Sequence, residues 1–184
     1  MPMETNPAVE LPAGSPIGKL FLAEARATLT GSHTKIIHCL HQLSEPDLNW
    51  RQLESQNSIQ NVILHLCGNL TQWILPGIGG IPDNRNRYGE FADRAPRSRK
   101  ELADCLAAVV AECDAVLAAL PEPRLSETTR IQGFDATLLA AIFEAVSHFV
   151  GHQHQIVYIT RLRLGDAYRF QWSPETPERG APTA

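Results

Sequence analysis

Proline lacks a backbone N–H and clashes with the preceding turn, so it cannot sit inside a helix, and the gaps between prolines mark where helices are permitted. In this chain the gaps are long. Its thirteen prolines fall at the two ends and in three interior clusters, which leaves Ile17 to Glu45, Asp47 to Leu75, Arg97 to Leu120 and Arg124 to Ser173 uninterrupted. Apolar residues recur in each stretch at close to the 3.6-residue helical period. The first carries Ile17, Leu20, Phe21, Ala25 and Leu29, continuing through Ile36, Ile37, Leu40 and Leu43, with Gly31 and Ser32 weakening its middle. The second places Ile59, Val62, Ile63, Leu66, Leu70 and Trp73 on one stripe, with Ser58 or Asn57 available as a cap. In the third, Ser98 and Glu101 have capping-box spacing and Pro121 is the stop. The fourth runs from about Ala136 to Leu164, where Gly165 ends it.

Four amphipathic helices with no convincing strand predict an all-α fold, a four-helix bundle whose sites are built from inward-pointing side chains. About two dozen residues separate Trp73 from Ser98, more than a tight turn needs, so this link is expected to cross the bundle and carry function. The whole chain, 1–184, reads as one domain, with loose Pro-rich tails at 1–16 and 173–184. A net charge of -4 argues against a broad basic face, and hence against nucleic acid or an anionic membrane as partner. No apolar run approaches a membrane span, and the start of the chain lacks a basic patch followed by an apolar core. Cys39, Cys67, Cys105 and Cys113 show no CxxC spacing and read as buried thiols of a reducing compartment. The expected location is the cytoplasm.

Seven histidines remain to be explained. His148 and His152 are four apart on the fourth helix, so their imidazoles project from one face roughly 5–6 Å apart and can close on one metal ion. Ala141, Ala145 and Gln155 extend that stripe with small or polar residues, leaving room for a third ligand from a neighbouring helix. His65 is the best donor, mid-way along the second helix with Asn61 and Asn69 one turn either side. His154 lies about 200° around the helix from His152 and is excluded. His38 and His41 read as surface residues. An HxxxH pair alone also serves as a hydrogen-bonded or solvent-facing pair, so spacing does not decide between ligation and packing.

The helix order, His65, and the segment HFVGHQHQIVYITRL, together with HLCGNLTQWI, GIGG and DNRNRYGEF, resemble the DinB-like superfamily of metal-binding four-helix bundles. The resemblance covers most of the chain. It implies an up-down-down-up bundle with a long crossover between the second and third helices, and metal ligands at His65, His148 and His152. One departure is His154, where such segments often have Gly. Relatives in that superfamily include thiol-dependent transferases and isomerases as well as metal-dependent hydrolases, so the resemblance implies an enzyme that acts on a small molecule, with a low-molecular-weight thiol as candidate partner.

Three neutral imidazoles leave coordination positions open, the pattern of a catalytic site. Imidazole suits Zn, Ni, Fe or Cu, with zinc and nickel the first divalent ions to test. Around them, Glu144 is a candidate base or ligand-orienting group, although a solvated helix carboxylate is the simpler reading. Asn69 and Gln155 are candidates to hydrogen-bond a ligand, and Trp73 to roof a pocket. Arg85 and Arg87, beside the Gly-rich turn, are candidates to receive a substrate carboxylate. GIGG is no phosphate loop, since it lacks the following Lys and the flanking strand. Tyr168, Phe170 and Trp172 are expected to cover a bundle end or a subunit contact, which points to a homodimer. The alternative to an enzyme is a non-catalytic metal-binding bundle that acts as a binding or dimerisation module.

Overall fold

The structure, a computed structural model, describes residues 16–80 and 82–172. The expected tails lie outside these residues except for Pro16, which opens the first helix. Six α-helices are present in the described chain: α1 (Pro16–Gln42), α2 (Glu45–Leu48), α3 (Ile59–Trp73), α4 (Arg87–Ala92), α5 (Arg99–Ala119) and α6 (Leu138–Leu164). The fold is therefore mostly helical, as the proline gaps require. Gly31 and Ser32 do not interrupt α1, because Ser32 is buried and Leu29 and Ile36 on either side anchor the same face in the core. None of the described helices is long and apolar enough to cross a membrane.

Local chemistry sets the helix ends. The Ser58 hydroxyl accepts from Asn61 N at 3.3 Å, while Ser58 N donates to Asn61 Oδ1 at 3.2 Å, a reciprocal cap on α3. Ser98 and Glu101 do the same for α5, and Thr137 accepts from Ala140 N at the start of α6. Gly165, with φ of +51°, stops α6.

The expectation of no strands is corrected by a hairpin of β1 (Thr128–Ile131) and β2 (Phe134–Thr137), paired antiparallel from Thr128 opposite Thr137 to Ile131 opposite Phe134. Four-residue strands are too short for a period-2 pattern to stand out. The readable signal is the turn: Gln132 and Gly133 both have positive φ, +52° and +85°, as a two-residue type I′ hairpin requires. Ile131, 4% exposed, anchors the hairpin against Gly77, where a Cβ would overlap the Ile131 side chain, and Thr129 Oγ1 donates to Gly77 O at 3.0 Å.

The four long helices share one core. α1 packs on α5 and α6, and α3 packs on the same two. Leu29, Ile36 and Leu40 from α1, Ile63, Leu66 and Leu70 from α3, Leu102 and Leu106 from α5, and Ile142, Phe149 and Ile156 from α6 are each 0–1% exposed. Burying such side chains stabilises by roughly 1.5–3 kcal/mol apiece before conformational entropy is subtracted. Cys39, Cys67 and Cys113 are buried as expected, but Cys105 is exposed, one position before the buried Leu106 on α5.

α3 also buries polar groups, which tie down the link that follows it. Asn61 Nδ2 donates to Glu90 O at 3.0 Å and to Asp93 O at 2.9 Å. Gln60 Nε2 donates to Ala95 O at 2.9 Å, and its Oε1 accepts from Arg97 N at 3.0 Å. Both side chains are fully buried, and their bonds to the backbone of the link hold α4 against α3.

Candidate metal centre

His65, near the middle of α3, faces His148 and His152, one turn apart on α6. One ring nitrogen from each lies within 4.8 Å of the others. His65 Nε2 and His148 Nε2 are 3.2 Å apart, and the ring centroids are separated by 5.0 Å (His65 to His148 and to His152) and 4.5 Å (His148 to His152). The structure thus brings together the three histidines singled out from the sequence. His154 is exposed on the other side of α6, and His38 is used elsewhere, its Nε2 bonding Arg169 O at 2.7 Å.

The other nitrogen of two rings is occupied. His65 Nδ1 donates to Glu90 Oε2 at 2.9 Å, and His152 Nδ1 donates to Gln155 Oε1 at 2.8 Å. A proton held on Nδ1 leaves Nε2 as a bare lone pair. Arg85 completes the clamp on the His65 side: its Nε donates to Glu90 Oε1 at 2.7 Å and its Nη2 to Glu90 Oε2 at 2.9 Å, with the Arg85 side chain 2% and the Glu90 side chain 8% exposed. This bidentate pair fixes the rotation of the carboxylate beside the imidazole.

Gly68, one turn beyond His65, makes room for the clamp. A Cβ there would overlap Glu90 Oε1, meet Glu90 Cδ at 2.7 Å and stand 3.1 Å from Arg85 Nε. The Phe91 ring lies 4.8 Å from the His65 ring, and Arg87 sits over the outer face of Phe91 at 5.1 Å. From the hairpin turn, Gln132 reaches the same corner, its amide oxygen accepting from Arg85 Nη1 at 3.1 Å and Trp73 Nε1 at 3.3 Å once the amide is oriented by its neighbours.

Burial governs the protonation of the rings. It pushes the His65 imidazole below its ordinary pKa even though Glu90 pulls the other way. His148 is lowered further, to about 4, first by burial and then by the neighbouring His152, His65, Arg85 and Arg87. Both rings are therefore neutral at pH 7, the form that ligates a cation.

The remaining candidates fall in different places. Gln155 bonds His152, and Asn69 is buried with its Oδ1 unpartnered. Trp73 is half-buried against the core. Arg85 does not present a free guanidinium to a substrate carboxylate, as the sequence suggests, because the carboxylate it receives is Glu90. Arg87 is exposed. Glu144 is exposed as well and makes no side-chain hydrogen bond or ion pair among the described residues, so the carboxylate beside the imidazoles is Glu90. Glu90 is the residue that sequence reasoning missed. Its signal was indirect: a glycine inside an otherwise strong helix marks a close approach by some other group.

A metal ion fits this donor set. Two imidazole Nε2 atoms 3.2 Å apart need a proton or a cation between them, and about 3.4 Å separates two nitrogens bound at about 2.05 Å to a tetrahedral ion. The polar groups behind His65 and His152 are those a ligating imidazole needs on its far nitrogen. His148 differs, since its Nδ1 is buried without a partner.

The family described as "Protein of unknown function (DUF1572)" matches residues 16–174. Among solved structures, the chain is similar to a conserved protein of Enterococcus faecalis, with a TM-score of 0.65 and 21% identity over 78% of this chain and 96% of that one, a likeness that speaks for the fold alone. No curated protein matches the chain.

Proposed function

The chain belongs to the DUF1572 family of proteins of unknown function, and from that starting point we propose that it is a DinB-like, metal-dependent enzyme of the cytoplasm: a thiol-dependent transferase or hydrolase that holds a divalent ion, zinc or nickel, on His65, His148 and His152. On this reading the four long helices form an up-down-down-up bundle, the link with α4 is its crossover, and the exposed Phe170 and Trp172 belong to a homodimer contact. One observation carries the proposal: three imidazoles from two helices converge, and two of them have their far nitrogens engaged by Glu90 and Gln155.

The protein's own groups act as follows. Glu90 holds the proton of His65 on Nδ1, raises the basicity of Nε2 and fixes the plane of the ring. Arg85 supplies the counter-charge to Glu90 in this buried pair. Gln155 selects the same tautomer for His152 without adding charge. Burial keeps His65 and His148 from competing for protons. Imidazole adds no charge when it ligates, so a divalent ion held by His65, His148 and His152 would keep its full charge and would supply acidification of a thiol or water. Phe91 walls the His65 side and sheds water there.

Elemental analysis of untagged protein, followed by thiol-transfer and ester-hydrolysis panels with and without chelator, tests the reading. Near-stoichiometric zinc or nickel, its loss in His148→Ala, and turnover that chelation abolishes are expected. Folded metal-free protein with full turnover refutes it. Metal without turnover, whose removal lowers only Tm or dissociates a dimer, selects a non-catalytic module instead.

A further inference from the structure

Cys67 on α3 and Cys105 on α5 lie far apart in the chain, yet their sulfurs are 3.5 Å apart. The pair is asymmetric: Cys105 is exposed and Cys67 is 6% exposed. Of the other two thiols, Cys113 Sγ contacts Leu70 O at 3.8 Å and Cys39 is enclosed in the core. An accessible sulfur backed by a second sulfur in near contact is the arrangement of a dithiol that reacts with an outside disulfide and then resolves internally.

The geometry points to a redox site in which Cys105 takes up a low-molecular-weight disulfide and Cys67 resolves it, leaving an intrachain Cys67–Cys105 disulfide that ties α3 to α5. In the first step the Cys105 thiolate attacks one sulfur of the small disulfide, whose S–S bond breaks, and the departing thiolate takes a proton. In the second, Cys67 loses its proton and attacks the Cys105 sulfur, breaking the mixed disulfide and releasing the second small thiol. Two electrons and two protons pass from the protein to the small disulfide, which becomes two thiols. The sulfurs need to close by about 1.5 Å to bond. The site stands on these two sulfurs alone and does not depend on a metal at the histidines.

Thiolate formation at the surface favours the first step: the hydrogen-bonded Cys67 sulfur draws the Cys105 pKa down to about 6.

The test treats reduced full-length protein with oxidised glutathione, then counts thiols in denaturant by alkylation and mass spectrometry. Free thiols should fall from four to two, with the chain monomeric on a non-reducing gel and dithiothreitol restoring four. A tryptic digest should join the peptide spanning 52–85, which holds Cys67, to that spanning 101–124, which holds Cys105 and Cys113, with fragmentation placing the link at Cys105. Cys105→Ser, a change at an exposed position, should keep all three of its thiols, and Cys67→Ala should stop at a glutathione adduct on Cys105. An unchanged thiol count, a stable adduct on the wild-type protein, a link between two chains, or loss of two thiols in Cys105→Ser overturns the assignment.

Discussion

Replacing Gly68 by alanine sets two effects of opposite sign against each other. In an unobstructed helix interior, Gly→Ala stabilises by about 0.8–1.0 kcal/mol through helix propensity. Gly31 in α1 is such a position, since nothing lies within 4 Å of a Cβ built there. At Gly68 the new methyl overlaps Glu90 Oε1, and the displaced carboxylate abandons both Arg85 and His65. Breaking a buried pair costs about 3–5 kcal/mol, so the net loss is about 2–4 kcal/mol. For a chain of this length 1 kcal/mol is worth roughly 2–4 °C, so Gly68→Ala should lower Tm by roughly 4–16 °C while Gly31→Ala raises it by roughly 2–4 °C. Calorimetry on the two variants, alongside metal titration, reads both effects. Affinity for a divalent ion should fall about 10- to 100-fold in Gly68→Ala alone, because His65 loses the group that orients it. If Gly68→Ala melts at or above the wild type and binds metal equally well, the clamp does not position His65.

Three further outcomes are expected. Glu90→Gln leaves the Arg85 guanidinium buried without a counter-charge and should cost about 3–5 kcal/mol in urea unfolding, and Arg85→Gln added to it should cost far less than the sum of the two singles, as a double-mutant cycle would report. Phe149→Ala, at a fully buried α6 position one residue beyond His148, should cost about 3–5 kcal/mol by the same assay. Asp47 is held below the ordinary aspartate range, chiefly by the Ser44 hydroxyl and then by Arg163. Its folded pKa is depressed, so its contribution is present above the unfolded aspartate value of about 3.9 and is lost as pH falls through the folded value. Asp47→Asn should therefore lower Tm at pH 7, and the gap from wild type should close as the solution is acidified, as melts across pH 2–7 would show.

The long helices and the three imidazoles were legible because they rest on short-range rules. Proline spacing, capping residues and an i, i+4 pair each act within a few residues, so Ser58, Ser98 and Gly165 mark helix ends and His148 and His152 share a face. What escaped depends on partners distant in sequence. Glu90 looks like any acidic residue in a polar link until Asn61, 29 residues away, fixes the backbone around it. Glu144, one turn from His148, looked better placed, but α6 turns it to solvent. Cys105 sits in an apolar-looking stretch, and only the packing of α5 decides that Leu102 and Leu106 face inward instead. The hairpin was hidden by strand length, although the Gln132-Gly133 turn was readable in principle.

Glu90, Arg85 and the backbone from 90 to 97 are all fastened to the helix that bears His65, whereas His148 and His152 ride on α6. The first imidazole and its supports therefore travel as one body, and the seam of the site runs between α3 and α6. Whatever grips His65 and His148 together acts as a clasp on an 83-residue span of chain. The entropy of so long a loop is largely met before the clasp engages, and its release would be felt first as a widening between two helices, not as a change within either.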